Sequence, residues 1–295
     1  MEADPDLCLH ACTKEDGTMF CVPDTFVAKE CEFLEDRVMT KQAIAADTIL
    51  YTGQSILSYV PDGEEHTYGI QSALCKMSRT MQAWLLHEMR SLYPREEGKM
   101  LETARRHFLN PQLSVALSKD RMYINQSLFF TDEEFDAKIK GDLGLQLGVK
   151  LSYNMFTFEP HETKSVEGRR HHLFVGASRF NHMCFVPNCR YVVFQRKGSK
   201  AGNIVITASR DIAIGEECTI SYSCNLPADS KERSASLGFT CTCNVCLEIV
   251  KKCLYCSKYS PGLKKCSKCH KAVYCDIDCQ LKHWPTHKRS CSSSS

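Results

Sequence analysis

Eight soft ligands in four short pairs crowd the C-terminal part of this 295-residue chain: Cys253-x2-Cys256, Cys266-x2-Cys269, Cys275-x3-Cys279 and His287-x3-Cys291. Eight ligands close two tetrahedral zinc ions. A segment of about 40 residues buries too little apolar surface to fold on packing alone, so the metals supply its folding energy. The wider cysteine usage agrees. The chain carries 19 cysteines, and ten of them fall between Cys241 and Cys291. The N-terminus, Met-Glu-Ala-Asp-Pro-Asp, lacks the basic-then-apolar pattern of a signal peptide. That points to an intracellular compartment, cytoplasmic and/or nuclear, where cysteines serve as metal ligands in preference to disulfides.

The remainder reads as ordinary globular protein, with 43% hydrophobic and 24% charged residues. A net charge of +2 gives no global argument for nucleic acid or a membrane surface. No apolar run approaches the roughly 18 residues of a spanning helix. Along the chain, residues 1–32 form an N-terminal segment with Cys8, His10, Cys12, Cys21 and Cys31. Cys8-x3-Cys12 has no matching second pair, so scattered buried or free thiols are the simpler reading and a metal site the other. Residues 33–68 hold short strands around Val38–Tyr51 and Ile56–Val60, rich in β-branched residues and ended by Pro61-Asp62-Gly63. Residues 69–150 change period. Ile70, Leu74, Met77, Met81, Trp84, Leu85 and Met89 predict an amphipathic helix over 69–92. A second helix is expected at 97–108, stopped near Asn110-Pro111. Thr131-Asp132-Glu133-Glu134 is a capping box for a third, whose later part Gly141, Gly144 and Gly148 weaken. Residues 151–223 return to strands, with a hairpin between Tyr191–Phe194 and Ile204–Thr207. In residues 224–248, Asp229-x-x-Glu232 caps a short helix that Gly238 ends. The finger occupies 253–291.

Cys241-x-Cys243-x2-Cys246 supplies three thiolates in six residues, one short of a tetrahedron. The candidates for the fourth lie upstream, at Cys224, Cys189 and Cys184. Two of them belong to Arg179-Phe180-Asn181-His182-Met183-Cys184-Phe185-Val186-Pro187-Asn188-Cys189, a stretch dense in amide, imidazole and thiol groups.

The C-terminal pairs resemble a MYND finger, including Val273-Tyr274-Cys275 and Gln280-Leu281-Lys282-His283-Trp284-Pro285-Thr286-His287. The pairs interleave in that family. The resemblance therefore implies Cys253, Cys256, Cys275 and Cys279 on one zinc, and Cys266, Cys269, His287 and Cys291 on the other. His283, one helical turn before His287, is a competing ligand that the match disfavours. Asn154-Met155-Phe156-Thr157-Phe158, Asn181-His182-x-Cys184, Pro187-Asn188-Cys189, Gly215-Glu216-Glu217-x-Thr219-Ile220-Ser221-Tyr222 and Cys241-x-Cys243-x2-Cys246 together look like the SET domain of the SET-and-MYND lysine methyltransferases. In familiar members the finger interrupts the SET domain near its start, whereas here it follows at the C-terminus.

The resemblance implies a mixed α+β fold: a β-rich SET domain of short strands, a helical insertion, a post-SET zinc segment and a small C-terminal MYND zinc finger. It implies that Asn154, Ser178, Asn181 and His182 contact S-adenosylmethionine, with Phe180 giving a backbone or apolar contact and Phe239 packing near the adenine or the lysine channel. Cys184 joins Cys241, Cys243 and Cys246 on a third structural zinc, and Tyr222 is the catalytic tyrosine. The expected function is a protein-lysine N-methyltransferase acting on histone or non-histone lysines. The alternative is a catalytically inactive adaptor that binds partners, such as proline-containing peptides, through the finger. Lys251, Lys252, Lys264, Lys265, Lys268 and Lys271 make the finger basic without making nucleic acid an expected ligand. Methyl transfer suits such a site. The amine must be neutral and aligned, so the chain needs positioning more than a nucleophile, and an apolar, aromatic channel lowers a lysine pKa by desolvation.

The chain departs from the family pattern at four points. No glycine stands at Glu35–Val38, where a Gly-x-Gly cofactor loop is usual. Met183 replaces a small residue, Phe185-Val186 separates Cys184 from Pro187 by two residues where one is usual, and Cys218 replaces leucine.

Overall fold

A computed structural model describes residues 7–9, 12–13, 20–21, 25–59, 77–108, 131–158, 170–223, 227, 229–247, 251–260 and 262–292. The expected turn at Pro61-Asp62-Gly63, the start of the 69–92 helix, Asn110-Pro111, Cys224, and the side chains of Cys8, His10, Cys12 and Cys21 lie outside the described residues. The chain divides into two units. One is Met1–Asn181 with Cys189–Cys218; the other is His182–Asn188 with Thr219–Ser295.

The first unit opens with short strands β1 (Leu7–Leu9), β2 (Cys12–Thr13), β3 (Phe20–Cys21), β4 (Thr25–Val27), β5 (Cys31–Phe33), β6 (Val38–Thr40), β7 (Ile49–Gln54) and β8 (Leu57–Tyr59). Helices α1 (Arg79–Glu88), α2 (Glu97–Phe108), α3 (Asp132–Gly141) and α4 (Leu143–Asn154) follow, then β9 (Met155–Phe158) and β10 (Arg170–Leu173). The short β11 (Asn181–His182) takes its first residue from this unit and its second from the other, and the chain returns with β12 (Cys189–Gln195) and β13 (Gly202–Ala208). Two antiparallel four-stranded sheets result, ordered β1-β8-β10-β9 and β12-β13-β7-β4, with β2-β3 and β5-β6 as separate pairs. The β12–β13 hairpin runs in register from Cys189 opposite Ala208 to Gln195 opposite Gly202. Gly198 sits at φ +79° in its turn, a region open to glycine at no steric cost. Along β13, Gly202, Ile204, Ile206 and Ala208 are buried and the residues between them are not, as the two-residue period of a half-buried strand requires.

The helical block is built from caps and one apolar seam. Ser78 Oγ accepts from the Met81 N–H at 3.2 Å and opens α1. Met77, Leu85 and Met89 then join Leu57, Leu147, Leu151 and Leu173 in one buried cluster. Thr131 Oγ1 accepts from the Glu134 N–H at 3.3 Å while the Glu134 carboxylate accepts from the Thr131 N–H at 3.0 Å, so the capping box forms. The glycines behave differently from expectation. The helix stops at Gly141, and Asp142 starts another by accepting from the Leu145 N–H at 3.1 Å. In α4, the buried Lys150 ammonium donates to the carbonyls of Met89 at 3.0 Å, Leu92 at 2.8 Å and Pro94 at 2.7 Å. Burial, with a smaller contribution from the Arg95 charge, pulls its pKa down to about 8.

The second unit contains β14 (Thr219–Ile220), which pairs with β11, then α5 (Ser230–Leu237). In the finger, β15 (Lys251–Lys252) pairs with β16 (Tyr259–Ser260), and β17 (Lys264–Lys265) pairs with β18 (Val273–Tyr274), before α6 (Ile277–His287). Asp229 and Asp276 cap α5 and α6 by accepting from the Glu232 and Cys279 N–H groups at 3.1 and 2.8 Å. The buried cluster of the finger consists of Cys253, Cys266, Cys269 and Cys291 with Ala272 and Tyr274. Four of these six residues are cysteines. Among the described residues no helix is long and apolar enough to cross a membrane.

Candidate active site and metal centres

Four of the predicted cofactor residues belong to the first unit. Asn154 ends α4, and its side-chain amide donates to the carbonyls of Tyr93 at 2.6 Å and Lys150 at 2.7 Å. Ser178 Oγ lies within hydrogen-bond reach of the Asn154 carbonyl at 3.1 Å and the Phe174 carbonyl at 3.0 Å. Asn154 and Ser178 are thus brought together. Phe180 is fully buried, its ring 5.7 Å from Phe33 and 6.3 Å from Tyr51. The Asn181 amide donates to the Asp36 carbonyl at 3.0 Å and the Glu217 carboxylate at 2.6 Å. Asp36 lies in the β5–β6 turn, where the glycines of the family pattern are missing. Its carboxylate pairs with Arg37 at 2.6 Å and Arg95 at 3.3 Å. Arg37 above all, with Arg95 behind it, holds that carboxyl down to about 2.

His182, Tyr222 and Phe239 belong to the second unit and form one ring cluster. The His182 ring centroid is 5.1 Å from Tyr222 and 6.4 Å from Phe239, and Tyr222 is 6.3 Å from Phe239. The Tyr222 N–H donates to His182 Nδ1 at 3.1 Å. An accepting Nδ1 leaves the proton on Nε2, which donates to Cys184 Sγ at 2.9 Å. Burial lowers the His182 pKa, which keeps the ring in this neutral tautomer. One imidazole therefore links the backbone of Tyr222 to Cys184 Sγ. Tyr222 itself remains 38% exposed. Nearby, Asn188 Oδ1 accepts from the Thr219 N–H at 2.7 Å, fixing the Pro187-Asn188 turn to β14.

All twelve predicted metal ligands come together in three groups of four. These are Cys184, Cys241, Cys243, Cys246; Cys253, Cys256, Cys275, Cys279; and Cys266, Cys269, His287, Cys291, with the ligand atoms of each group within 4.8 Å of one another. A tetrahedron with Zn–S bonds of about 2.3 Å has S···S edges of about 3.8 Å, and S···N edges of about 3.6 Å. The edges here are 3.8 Å for Cys184–Cys241, 3.9 Å for Cys184–Cys246, 3.5 Å for Cys256–Cys275 and 3.8 Å for Cys266–Cys291. Cys269 Sγ to His287 Nε2 is 3.6 Å. The donor sets therefore fit zinc in size as well as chemistry. His283 is elsewhere engaged, its Nδ1 3.0 Å from the Tyr274 hydroxyl. In each cluster one thiol is favoured for ionisation, while Cys184, Cys241, Cys275, Cys279 and Cys291 are pushed the other way by burial and by their neighbouring sulfurs. Cys243 is brought down to about 4, first by the Cys241 side chain and then by the backbone N–H groups of Cys184, Cys246 and Val245, against burial. Burial opposes ionisation of Cys253, yet the N–H groups of Cys256, Cys275 and Tyr255 bring it to about 6. Cys266 also falls to about 6, through the Cys269 N–H and then His287.

One residue at the first cluster escaped the sequence reading. Arg233 on α5 is buried and directs Nε and Nη2 at Cys246 Sγ, both at 3.4 Å. Its neighbours read only as a capped polar helix, and no motif spacing marks it.

Antiparallel sheets of short strands, an Asn-His segment, a tyrosine after β14 and three four-residue clusters of cysteine and histidine point to a SET-type protein with a cysteine-rich finger. Residues 36–223 match the SET domain family and residues 238–291 match the MYND finger. The chain belongs to the SET-domain family, in the order SET then MYND. It is similar to the N-lysine methyltransferase SMYD2 of Rattus norvegicus, 41% identical over 61 residues, which is 19% of this chain and 14% of that protein. N-lysine methyltransferase SMYD2-B of Xenopus laevis is 51% identical over 41 residues, 14% of this chain and 10% of that protein. SMYD2 of Homo sapiens is 48% identical over 40 residues, 14% of this chain and 9% of that protein. These matches cover only a small part of the relatives' length. Among solved structures, the SET domain of LSMT bound to lysine and AdoHcy gives a TM-score of 0.38 at 14% identity, over 73% of this chain and 54% of that chain.

Proposed function

We propose that this chain is an S-adenosylmethionine-dependent protein-lysine N-methyltransferase whose three tetrahedral clusters hold structural zinc. The observation that carries the reading is the Tyr222 ring, partly exposed, beside His182 and Phe239, with its backbone tied through His182 to Cys184. Aromatic faces and a phenolic oxygen suit a cationic sulfonium and an incoming amine. The cofactor, when bound, supplies a methyl group on a positively charged sulfur. In this reading Asn154, Ser178, Phe180, Asn181, His182 and Phe239 bind it. The inward-turned side chains of Asn154 and Phe180 contribute by fixing the backbone around the site. Tyr222 orients the neutral amine in line with the methyl–sulfur bond, and the proton lost by the amine leaves to solvent. His182 keeps Tyr222 in place and needs no charge to do so. The substrate is a protein lysine, and the finger serves as a docking module for partner peptides.

Two measurements test this. Calorimetric titration of metal-replete protein with S-adenosylmethionine or its demethylated product should give a saturable heat, and its absence would remove the enzyme reading. Tyr222→Phe should lower methyl transfer by about 10²-fold, as expected for loss of a group that acts in the transition state, while cofactor affinity is retained. Equal activity in that variant would remove Tyr222 from the mechanism.

A further inference from the structure

Phe185 is one of the two residues between Cys184 and Pro187, where the family resemblance implies one, and the backbone shows how the longer segment is accommodated. The Val186 N–H closes onto the Cys184 carbonyl at 2.7 Å, a three-residue turn, with Phe185 at φ +60°. A non-glycine residue keeps such a conformation only where its surroundings over-determine it. Here the surroundings are aromatic and cationic. The Phe185 ring stacks on Tyr259 with centroids 4.7 Å apart and planes 7° from parallel. The Arg233 guanidinium carbon lies 5.3 Å from the Phe185 centroid. That same guanidinium directs two donors at Cys246 Sγ, and Nη1 donates to the Pro227 carbonyl at 3.1 Å.

Tyr259 is part of β16 in the finger, yet it packs against the cluster of Cys184, Cys241, Cys243 and Val245. The contacts thus run without a break from Cys246 through Arg233 and Phe185 to Tyr259. We propose that Phe185 is the docking residue that fixes the C-terminal finger to the post-SET metal cluster, so that retention of metal at Cys184, Cys241, Cys243 and Cys246 depends on a folded finger. Four thiolates around a divalent zinc leave two net negative charges. Arg233 offsets part of that charge and covers Cys246, and the stacked pair holds Arg233 in position. Hydrogen bonds from outside a metal site commonly set its affinity, and this one is assembled from both zinc-binding segments. A chain with its finger placed after the SET domain has the tyrosine in the right place for such a contact.

The test uses the full chain loaded with zinc. Zinc transfer to a chromophoric chelator is followed in time, and alkylation of individual cysteines is mapped by mass spectrometry. Phe185→Gly removes the stack while relieving the backbone, and Tyr259→Ala removes the other ring. Both should speed loss of one zinc by at least about tenfold, with Cys246 among the first thiols labelled, and Phe185→Tyr should restore slow release. Unchanged release and labelling in both Phe185→Gly and Tyr259→Ala overturn the proposal. It rests on the three clusters being zinc sites, which the zinc content of the wild-type protein tests separately. Fewer than three zinc ions in the wild type overturns that reading and the docking with it; three ions with unchanged release overturns the docking alone.

Discussion

The Lys150 ammonium is held by the carbonyls of Met89, Leu92 and Pro94, three acceptors at the end of α1 and the turn after it. Replacing it with an apolar side chain leaves buried carbonyls without their donor. Lys150→Met should therefore cost about 2–3 kcal/mol at pH 7, read as a lower melting temperature. The pH dependence has a definite sign. The folded-state pKa of about 8 lies below the ordinary lysine value of 10.5, so between those values the unfolded chain binds the extra proton. Stability from this group then rises with pH, and the gap between wild type and Lys150→Met should widen from pH 8 to pH 10. A gap that narrows would mean the carbonyls, and not burial, govern the ammonium. Nothing in the sequence marks Lys150, because a lysine on a helix reads as solvated. Asn181 is only half legible. Its motif identifies the residue, but its hydrogen bond to the Asp36 carbonyl spans 145 positions of chain, and no local pattern encodes it. The same motif identifies His182, but not that its two ring nitrogens join Cys184 to Tyr222.

At the scale of elements, caps were easier to read than propensities. Thr131 with Glu134, and Asp229 before α5, are local signals whose partners lie three residues away, and both form. The glycines after α3 misled because their cost was counted without the side chain between them. Asp142 caps α4, and a Cβ at Gly144 would come within 3.2 Å of Asp142 Oδ1, so the glycine keeps room for the cap. Asp142→Ala should lower stability by about 1 kcal/mol, with Asp142→Asn close to neutral, in thermal melts. If both substitutions are silent, the cap does not hold α4. The β12–β13 hairpin was legible from two β-branched and aromatic runs flanking a glycine-bearing turn. Its tight packing was not: a Cβ at Gly202 would lie 2.6 Å from Cγ of the buried His172 ring. That contact depends on how β10 and β13 meet, which no period in either strand records.

For the molecule as a whole, the clustering of the candidate ligand residues was the most legible feature, since spacing and donor type are both printed in the sequence. Choosing Cys184 over Cys189 as the fourth ligand took the family resemblance. The structure puts Cys184 Sγ 3.8 Å from Cys241, while Cys189 pairs opposite Ala208 in the hairpin. Elemental analysis of the purified chain should give three zinc ions, and a strong chelator should unfold the finger, seen as loss of protease resistance over 251–292. Retention of that resistance without metal would show that sulfur packing suffices. The crossing of the two ligand sets along the finger has a consequence for how the protein wears out. In the proposed zinc-bound state each ion closes a loop that carries ligands of the other, so one modified sulfur should loosen both loops together. Injury to the finger is then a single-hit process. It should begin at the more accessible set, Cys256, Cys275 and Cys279, whereas Cys266, Cys269, His287 and Cys291 are all buried. Under electrophilic stress the finger should pass from intact to lost with little in between, its half-buried thiols setting the lifetime of the buried ones.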